Sequence, residues 1–211
     1  MTECRLVLVR HGETEWNRAG RIQGFHADSP LTGNGRAQAL AVAERLAAEG
    51  IDVLFSSDSG RTRQTAEPIA EATGVAPVHD AALRERSYGI LEGRTFAEIE
   101  VQFPDVFQKI RSRDPHYAVP GGESPVDFRD RILGALERIA HTSAGRRVAV
   151  VTHGGVLGVM YRHALDISIE APRSYTLANA SCNHFRYVAG RWTMDAWCDV
   201  SHLPAPSLSD T

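Results

Sequence analysis

Two histidines and two arginines stand where apolar runs of the chain give way to glycine or polar residues. Leu6-Val7-Leu8-Val9 stops at Arg10-His11-Gly12, and Val148-Ala149-Val150-Val151 stops, after Thr152, at His153-Gly154. Arg61 follows a shorter run, Ile51 to Phe55, by way of Ser56-Ser57-Asp58-Ser59. Neutral imidazole is a competent nucleophile near pH 7. Guanidinium groups bind phosphate through paired hydrogen bonds, and helix N-termini add backbone donors. Gathered in one place, such groups can hold and attack a phosphoryl group. Phosphoryl transfer needs mainly positioning and charge neutralisation, which they supply without a metal. The leaving oxygen still requires a proton. Glu85, in an irregular stretch, is the nearest general acid.

The elements must bring these residues together. Apolar runs of strand length alternate with segments whose apolar positions recur every three or four residues. One helix is expected from a cap at Thr32 or Asn34 to a stop at Gly50, and another over about 60–72, closed by Gly74. Further helices are expected at 95–102, from Pro125 or Val126 to Ala140, and at about 156–165, with a hairpin over 183–196. Residues 13–17 read as a loop. The pattern predicts an α/β protein, a three-layer α/β/α sandwich around a mostly parallel sheet. Parallel strands end on one edge, where such sheets bind ligands. Arg10, His11, Arg61 and His153 all fall there. Residues 1–203 read as a single domain, with a lid at about 86–122 and a disordered tail at 204–211.

Longer motifs carry a resemblance. Arg10-His11-Gly12-Glu13-Thr14-x-Trp16-Asn17 is similar to the signature of the histidine phosphatase superfamily, in its phosphoglycerate-mutase-like branch. Gln23-Gly24 with Asp28 to Thr32, Ser56-Ser57 through Ala66, Leu83-x-Glu85 to Gly93, and Thr152 to Gly155 follow in order. The match runs from residue 5 to about 188. The resemblance implies that His11 becomes a phosphohistidine, that Arg10, Arg61 and His153 bind the phosphoryl group, and that Glu85 protonates the leaving oxygen. It implies further substrate contacts at Thr14, Asn17, Gln23, Gly24 and Gly154. Ser59, where relatives carry a leucine, departs from the pattern away from the phosphate.

Arg86 and Tyr88 resemble the mutase residues that hold phosphoglycerate, but other features oppose a mutase. The mutases' insertion before the second histidine is missing, their lysine corresponds to Phe96, and their asparagine after His-Gly corresponds to Gly155. A short lid also protects an intermediate poorly from water. The preferred expectation is a metal-independent phosphomonoester phosphatase acting on a small phosphorylated metabolite. A cofactor-dependent mutase, which would use 2,3-bisphosphoglycerate, and a non-catalytic phosphate-recognition module are the alternatives. No other cofactor is expected. Sugar phosphates, phosphoglycerate, α-ribazole phosphate and glucosyl-phosphoglycerate all stay open as substrates.

Composition bounds the rest. The 211 residues are 43% hydrophobic and 23% charged, with a formal net charge of −3. That balance argues against broad electrostatic binding of nucleic acid. No apolar run approaches the ~20 residues that a membrane span needs. Three cysteines without CxxC spacing fit a reducing cytoplasm better than a disulfide framework. Cys4 and Arg10 match the spacing of cysteine phosphatases by chance, because the residues between them form a strand without glycine. No other histidine has metal-ligand spacing. Arg111 and Arg113 in the lid read as a solvated face before substrate ligands. Asn179-Ala180-Ser181 is a formal glycosylation sequon without consequence in the cytoplasm. A homodimer is compatible with the sequence.

Overall fold

The structure is a computed structural model and describes residues 3–203. The tail expected at 204–211 lies outside the described residues. Strand β1 (Cys4–Arg10) leads through a short helix α1 (Glu15–Arg18) into α2 (Gly33–Glu49) and β2 (Val53–Ser56). Helix α3 (Gly60–Thr73) and β3 (Pro77–His79) follow. Two short 3₁₀ turns then precede α4 (Phe96–Gln102), α5 (Pro104–Arg111) and α6 (Pro125–Thr142). Strand β4 (Arg147–Thr152), α7 (Gly154–Ala164) and the hairpin β5 (Cys182–Val188) and β6 (Arg191–Asp199) complete the chain.

The six strands form one sheet in the order β3-β2-β4-β1-β5-β6. Four are parallel, and the closing hairpin pairs antiparallel to β1. Alternation along each strand feeds two cores, because successive side chains point to opposite faces. Leu6, Leu8, Val148 and Val150 pack with Ile132, Leu136 and Ile139 of α6 and Leu157 and Met160 of α7. Val7, Val9, Ala149 and Val151 pack with Val42 and Leu46 of α2 and Ala66 and Ile69 of α3. Both faces are covered, so the central strands read as unbroken apolar runs rather than alternating ones. The expected α/β sandwich is what the chain forms.

Helix boundaries follow local chemistry. The Thr32 hydroxyl accepts from Gly35 N–H, and Gly50 adopts a left-handed φ of 70° at the other end of α2. Residues 13–17, read as a loop, contain α1. There Thr14 and Asn17 cap reciprocally, a capping box whose third residue is asparagine rather than the usual glutamate or glutamine. Helix α5 was not foreseen. It starts at Pro104, whose missing N–H costs nothing at a first helical position. Helix α7 begins two residues earlier than periodicity suggests, at the glycines directly after His153.

Residues 86–122 carry a small cluster of their own. Leu91, Ile99 and Val119 are buried, with Phe103, Phe107 and Ile110 packed against them. This is the ordered body of the segment expected to be a lid.

Candidate active site

The register of β1 against β4 sets the site. Arg10 pairs with Thr152, so His11 and His153 emerge side by side from neighbouring parallel strands. Their rings lie 5.5 Å apart at 62°. His11 N–H donates to Thr152 O at 3.0 Å, and Ser57 N–H to Val151 O at 2.9 Å, which extends the strands into the site. β1 and β4 are parallel neighbours whose following connections run to opposite sides, β1 to β2 through α2 and β4 to β5 through α7, and ligands gather at the carboxyl ends of strands at such a switch point.

His11 is 3% exposed, and its Nδ1 lies 2.8 Å from Gly12 O. A carbonyl only accepts, so Nδ1 carries the proton and Nε2 keeps its lone pair. Burial, then the nearby Arg61 and Arg10 charges, push the His11 pKa well below its ordinary value. His153 is lowered in the same way, first by burial and then by Arg61. Both rings are therefore neutral at pH 7.

A cleft of about 230 Å³ opens over this point, bordered by Arg10, His11, Asn17, Gln23, Arg61 and Glu85. Tyr88 and Gly154 border it as well. Arg10 donates to Leu177 O at 3.1 Å, and burial lowers its pKa to about 10. Arg61 is gripped by the loop before α2. Its Nη1 donates to Asp28 Oδ1 at 2.9 Å and to Ala27 O, and its Nη2 to Gly24 O at 3.1 Å. Its Nε is buried with no hydrogen-bond partner, a donor suited to a bound oxyanion. The Asn17 Oδ1 accepts from Thr14 and from Asn179, which turns its amide N–H groups to other use. Asn17 thus meets the cleft as a donor.

Glu85 is 7% exposed and held at both oxygens. Arg86 N–H donates to Oε1 and Gly155 N–H to Oε2, each at 2.8 Å. A Cβ on Gly155 would stand 2.1 Å from Glu85 Oε1, so no other residue lets the carboxylate sit there. Arg131 of α6 anchors the same turn, donating to the carbonyls of Ala82, Arg84 and Glu85 while pairing with Glu123.

Four of the residues singled out from sequence do not border the cleft. His153 is fully buried behind it, with Nε2 2.9 Å from Ser57 Oγ and Nδ1 without a partner. Thr14 is buried under α1, its hydroxyl 2.9 Å from Gln23 Oε1. Gly24 acts through its carbonyl on Arg61. Arg86 donates to Glu123 O and borders an adjacent cavity. In the segment expected as a lid, Arg111 lies over Phe107 at 5.8 Å, and Arg113 takes a left-handed φ of 56° just after α5.

Other residues gave no signal in the sequence. Asn179 is 1% exposed and donates to His11 O and Asn17 Oδ1, so the formal sequon is buried inside the site. Arg173, Tyr175 and Leu177 border the cleft from the segment before β5, which carries no motif. Among the described residues, no group of three or more His, Cys, Asp or Glu could hold a metal ion, and no helix is long and apolar enough to cross a membrane.

Comparison with known proteins places the chain in a family. The profile of the histidine phosphatase superfamily (branch 1) matches residues 6–200. The chain is 38% identical to "Probable phosphoglycerate mutase GpmB" of Klebsiella pneumoniae, over 98% of each chain. Its fold is similar to that of YhfR from Bacillus stearothermophilus, with a TM-score of 0.85, 34% identity, and 94% of this chain and 98% of that one covered. It is also similar to a mycobacterial glucosyl-3-phosphoglycerate phosphatase, with a TM-score of 0.80, 32% identity, and 93% and 99% covered. The chain therefore belongs to the histidine phosphatase superfamily, branch 1, and is an enzyme of that superfamily.

Proposed function

We propose that the protein hydrolyses a small phosphorylated metabolite through a phosphohistidine on His11. The observation that carries this reading is the neutral His11 ring, fixed by Gly12 O through Nδ1 at the floor of an arginine-lined cleft. Its Nε2 lone pair attacks phosphorus while Arg10, Arg61 and the Asn17 amide neutralise the equatorial oxygens. The P–O bond to the alcohol breaks as Glu85 delivers a proton to the leaving oxygen. Glu85, now a carboxylate, takes a proton from water, and the hydroxide attacks phosphorus. The P–N bond breaks and inorganic phosphate leaves, and Glu85, holding the proton taken from water, is ready for the next turnover. His153, bonded to Ser57 through Nε2, stands buried behind the floor with Nδ1 unpartnered.

A phosphatase is favoured over a mutase by Phe96, which borders the cleft where mutases carry a lysine. A mutase also has to retain its alcohol while shielding the phosphoenzyme from water. The reading includes a cytoplasmic setting, where the three free thiols fit reducing conditions. Burial pushes the Cys4 and Cys182 thiols up to about 11 and about 12, so neither is reactive.

The test is p-nitrophenyl phosphate turnover with rapid quenching of the phosphoenzyme. Wild type should release phosphate and show an acid-labile, alkali-stable phosphoprotein, and His11→Ala should abolish both. Unaltered turnover in that variant would sink the reading. Interconversion of 2- and 3-phosphoglycerate faster than phosphate release, with 2,3-bisphosphoglycerate added, would assign a mutase instead.

A further inference from the structure

Arg61 is held by a piece of chain with no regular structure of its own. Residues 22–30 are neither helix nor strand, yet they bring Gly24 O, Ala27 O and Asp28 Oδ1 to the buried guanidinium. The Arg61 backbone N–H donates to the same Asp28 oxygen at 3.4 Å. A loop outside any helix or sheet needs partners for its own backbone before it can fix an arginine.

The carboxylate of Glu92 supplies them. Its Oε1 accepts from Phe25 N–H at 3.0 Å, and its Oε2 from His26 N–H at 3.1 Å and Ala27 N–H at 2.7 Å. Oε1 also accepts from Tyr88 N–H at 3.1 Å. Successive backbone N–H groups converging on one anion make a cradle of the kind that binds phosphate, here filled by a side chain of the same protein. Hydrogen bonds to a charged acceptor are the strong ones. Gly24 lies against the same oxygen, since a Cβ there would stand 2.0 Å from Glu92 Oε1.

A second contact joins the same two segments. The Phe25 ring has Arg84 at 4.6 Å and Arg131 at 5.4 Å, and Arg131 donates to the carbonyls of Arg84 and Glu85. The loop that grips Arg61 and the turn that carries Glu85 are therefore tied together twice. A phosphate ligand and a proton donor have to keep their spacing for the leaving oxygen to be met. The transfers themselves need no group at position 92.

We propose that Glu92 is a positioning residue, whose carboxylate fixes residues 24–28 so that Arg61 stays aimed at the phosphoryl oxygens. The inference rests on the phosphatase reading in giving Arg61 an oxyanion to bind. Glutamine at this position has one acceptor oxygen and turns an amide N–H₂ toward backbone donors, so it cannot serve all of them. Aspartate keeps both oxygens on a shorter stem.

The test is calorimetric binding of inorganic phosphate, which is independent of turnover, to wild type, Glu92→Gln, Arg61→Ala and the double variant. Where binding is too weak to titrate, kcat/KM for p-nitrophenyl phosphate completes the cycle. Glu92→Gln should raise the phosphate Kd about tenfold, the scale of one lost charge-assisted contact. Added to Arg61→Ala it should change either readout by less than about twofold, because no guanidinium is left to aim. A further tenfold loss in that background, or an unchanged Kd in the single variant, overturns the proposal. Glu92→Asp should restore part of the affinity. Gly24→Ala sets a Cβ against the carboxylate without altering any charge, and it should weaken phosphate binding by a similar factor. Should Glu92→Gln fail to fold, Gly24→Ala takes its place in the cycle and the same outcomes decide. Wild type that binds phosphate but turns over no ester fails the phosphatase reading and leaves the binding comparison to judge Glu92. Wild type that binds no phosphate overturns both.

Discussion

The phosphate cleft and the segment of residues 86–122, expected from sequence to be a lid, are built on different principles. The cleft is an extension of the sheet. His11 and Ser57 continue strand hydrogen bonding, Arg61 is gripped by three partners from the loop before α2, and Glu85 is clamped at both oxygens. Its geometry is over-determined by the two main cores beneath it. The lid rests on a cluster with three fully buried residues, Leu91, Ile99 and Val119. A group that reacts must be held tightly, whereas a surface that selects substrates can vary without disturbing the chemistry.

The largest effect should come from the floor. His11→Ala removes the nucleophile, and phosphate release should fall by at least about 10³-fold with a Tm near wild type. A rate within tenfold of wild type would place the chemistry elsewhere. Glu85→Gln follows. It keeps acceptor and shape but loses the proton, and a loss of about 10²–10⁴ in kcat is expected with p-nitrophenyl phosphate less affected than an alkyl ester. The phenolate leaves without full protonation, so equal losses on both esters would argue against a general acid.

The lid should respond differently. Ile99→Ala empties part of its cluster, a deletion that costs about 2–4 kcal/mol locally. The expected readout is faster amide exchange across residues 90–119 and a raised KM, with kcat moved less. The same deletion at Leu8 should instead lower the global Tm. Identical responses at both positions would show that lid and sheet unfold as one unit.

The smallest effect is on pH dependence. The folded pKa values of His11 and His153 lie below their ordinary value because burial and the arginines oppose their charge. As pH falls below about 6.5 the unfolded chain binds protons that the folded one refuses, so stability must decline from there downward. Wild-type Tm should drop between pH 7 and pH 5, and His153→Gln should show a shallower slope. Parallel slopes would assign the decline to other groups.

Legibility follows the same division. Strand ends, caps and the order of helices were readable because each rests on contacts within a few residues, as Thr32 and Gly50 do for α2. Helix α5 escaped because its apolar side packs only against the lid cluster, and a short helix has too little period to read. Asn179, Arg131 and Arg173 escaped for another reason. Asn179 and Arg131 meet partners far along the chain, at His11 and at Ala82 to Glu85, and Arg173, tied to nearby Tyr175, reaches the cleft edge only through the fold of the segment before β5.

The sequence by itself determined the α/β architecture and the residues able to do phosphoryl chemistry, since residue type and strand period are local properties. Only the tertiary structure decided which of them meet the cleft, which stand behind it, and which carboxylate secures the loop around Arg61. Those depend on β1–β4 register and on long-range packing, which no short stretch of chain encodes.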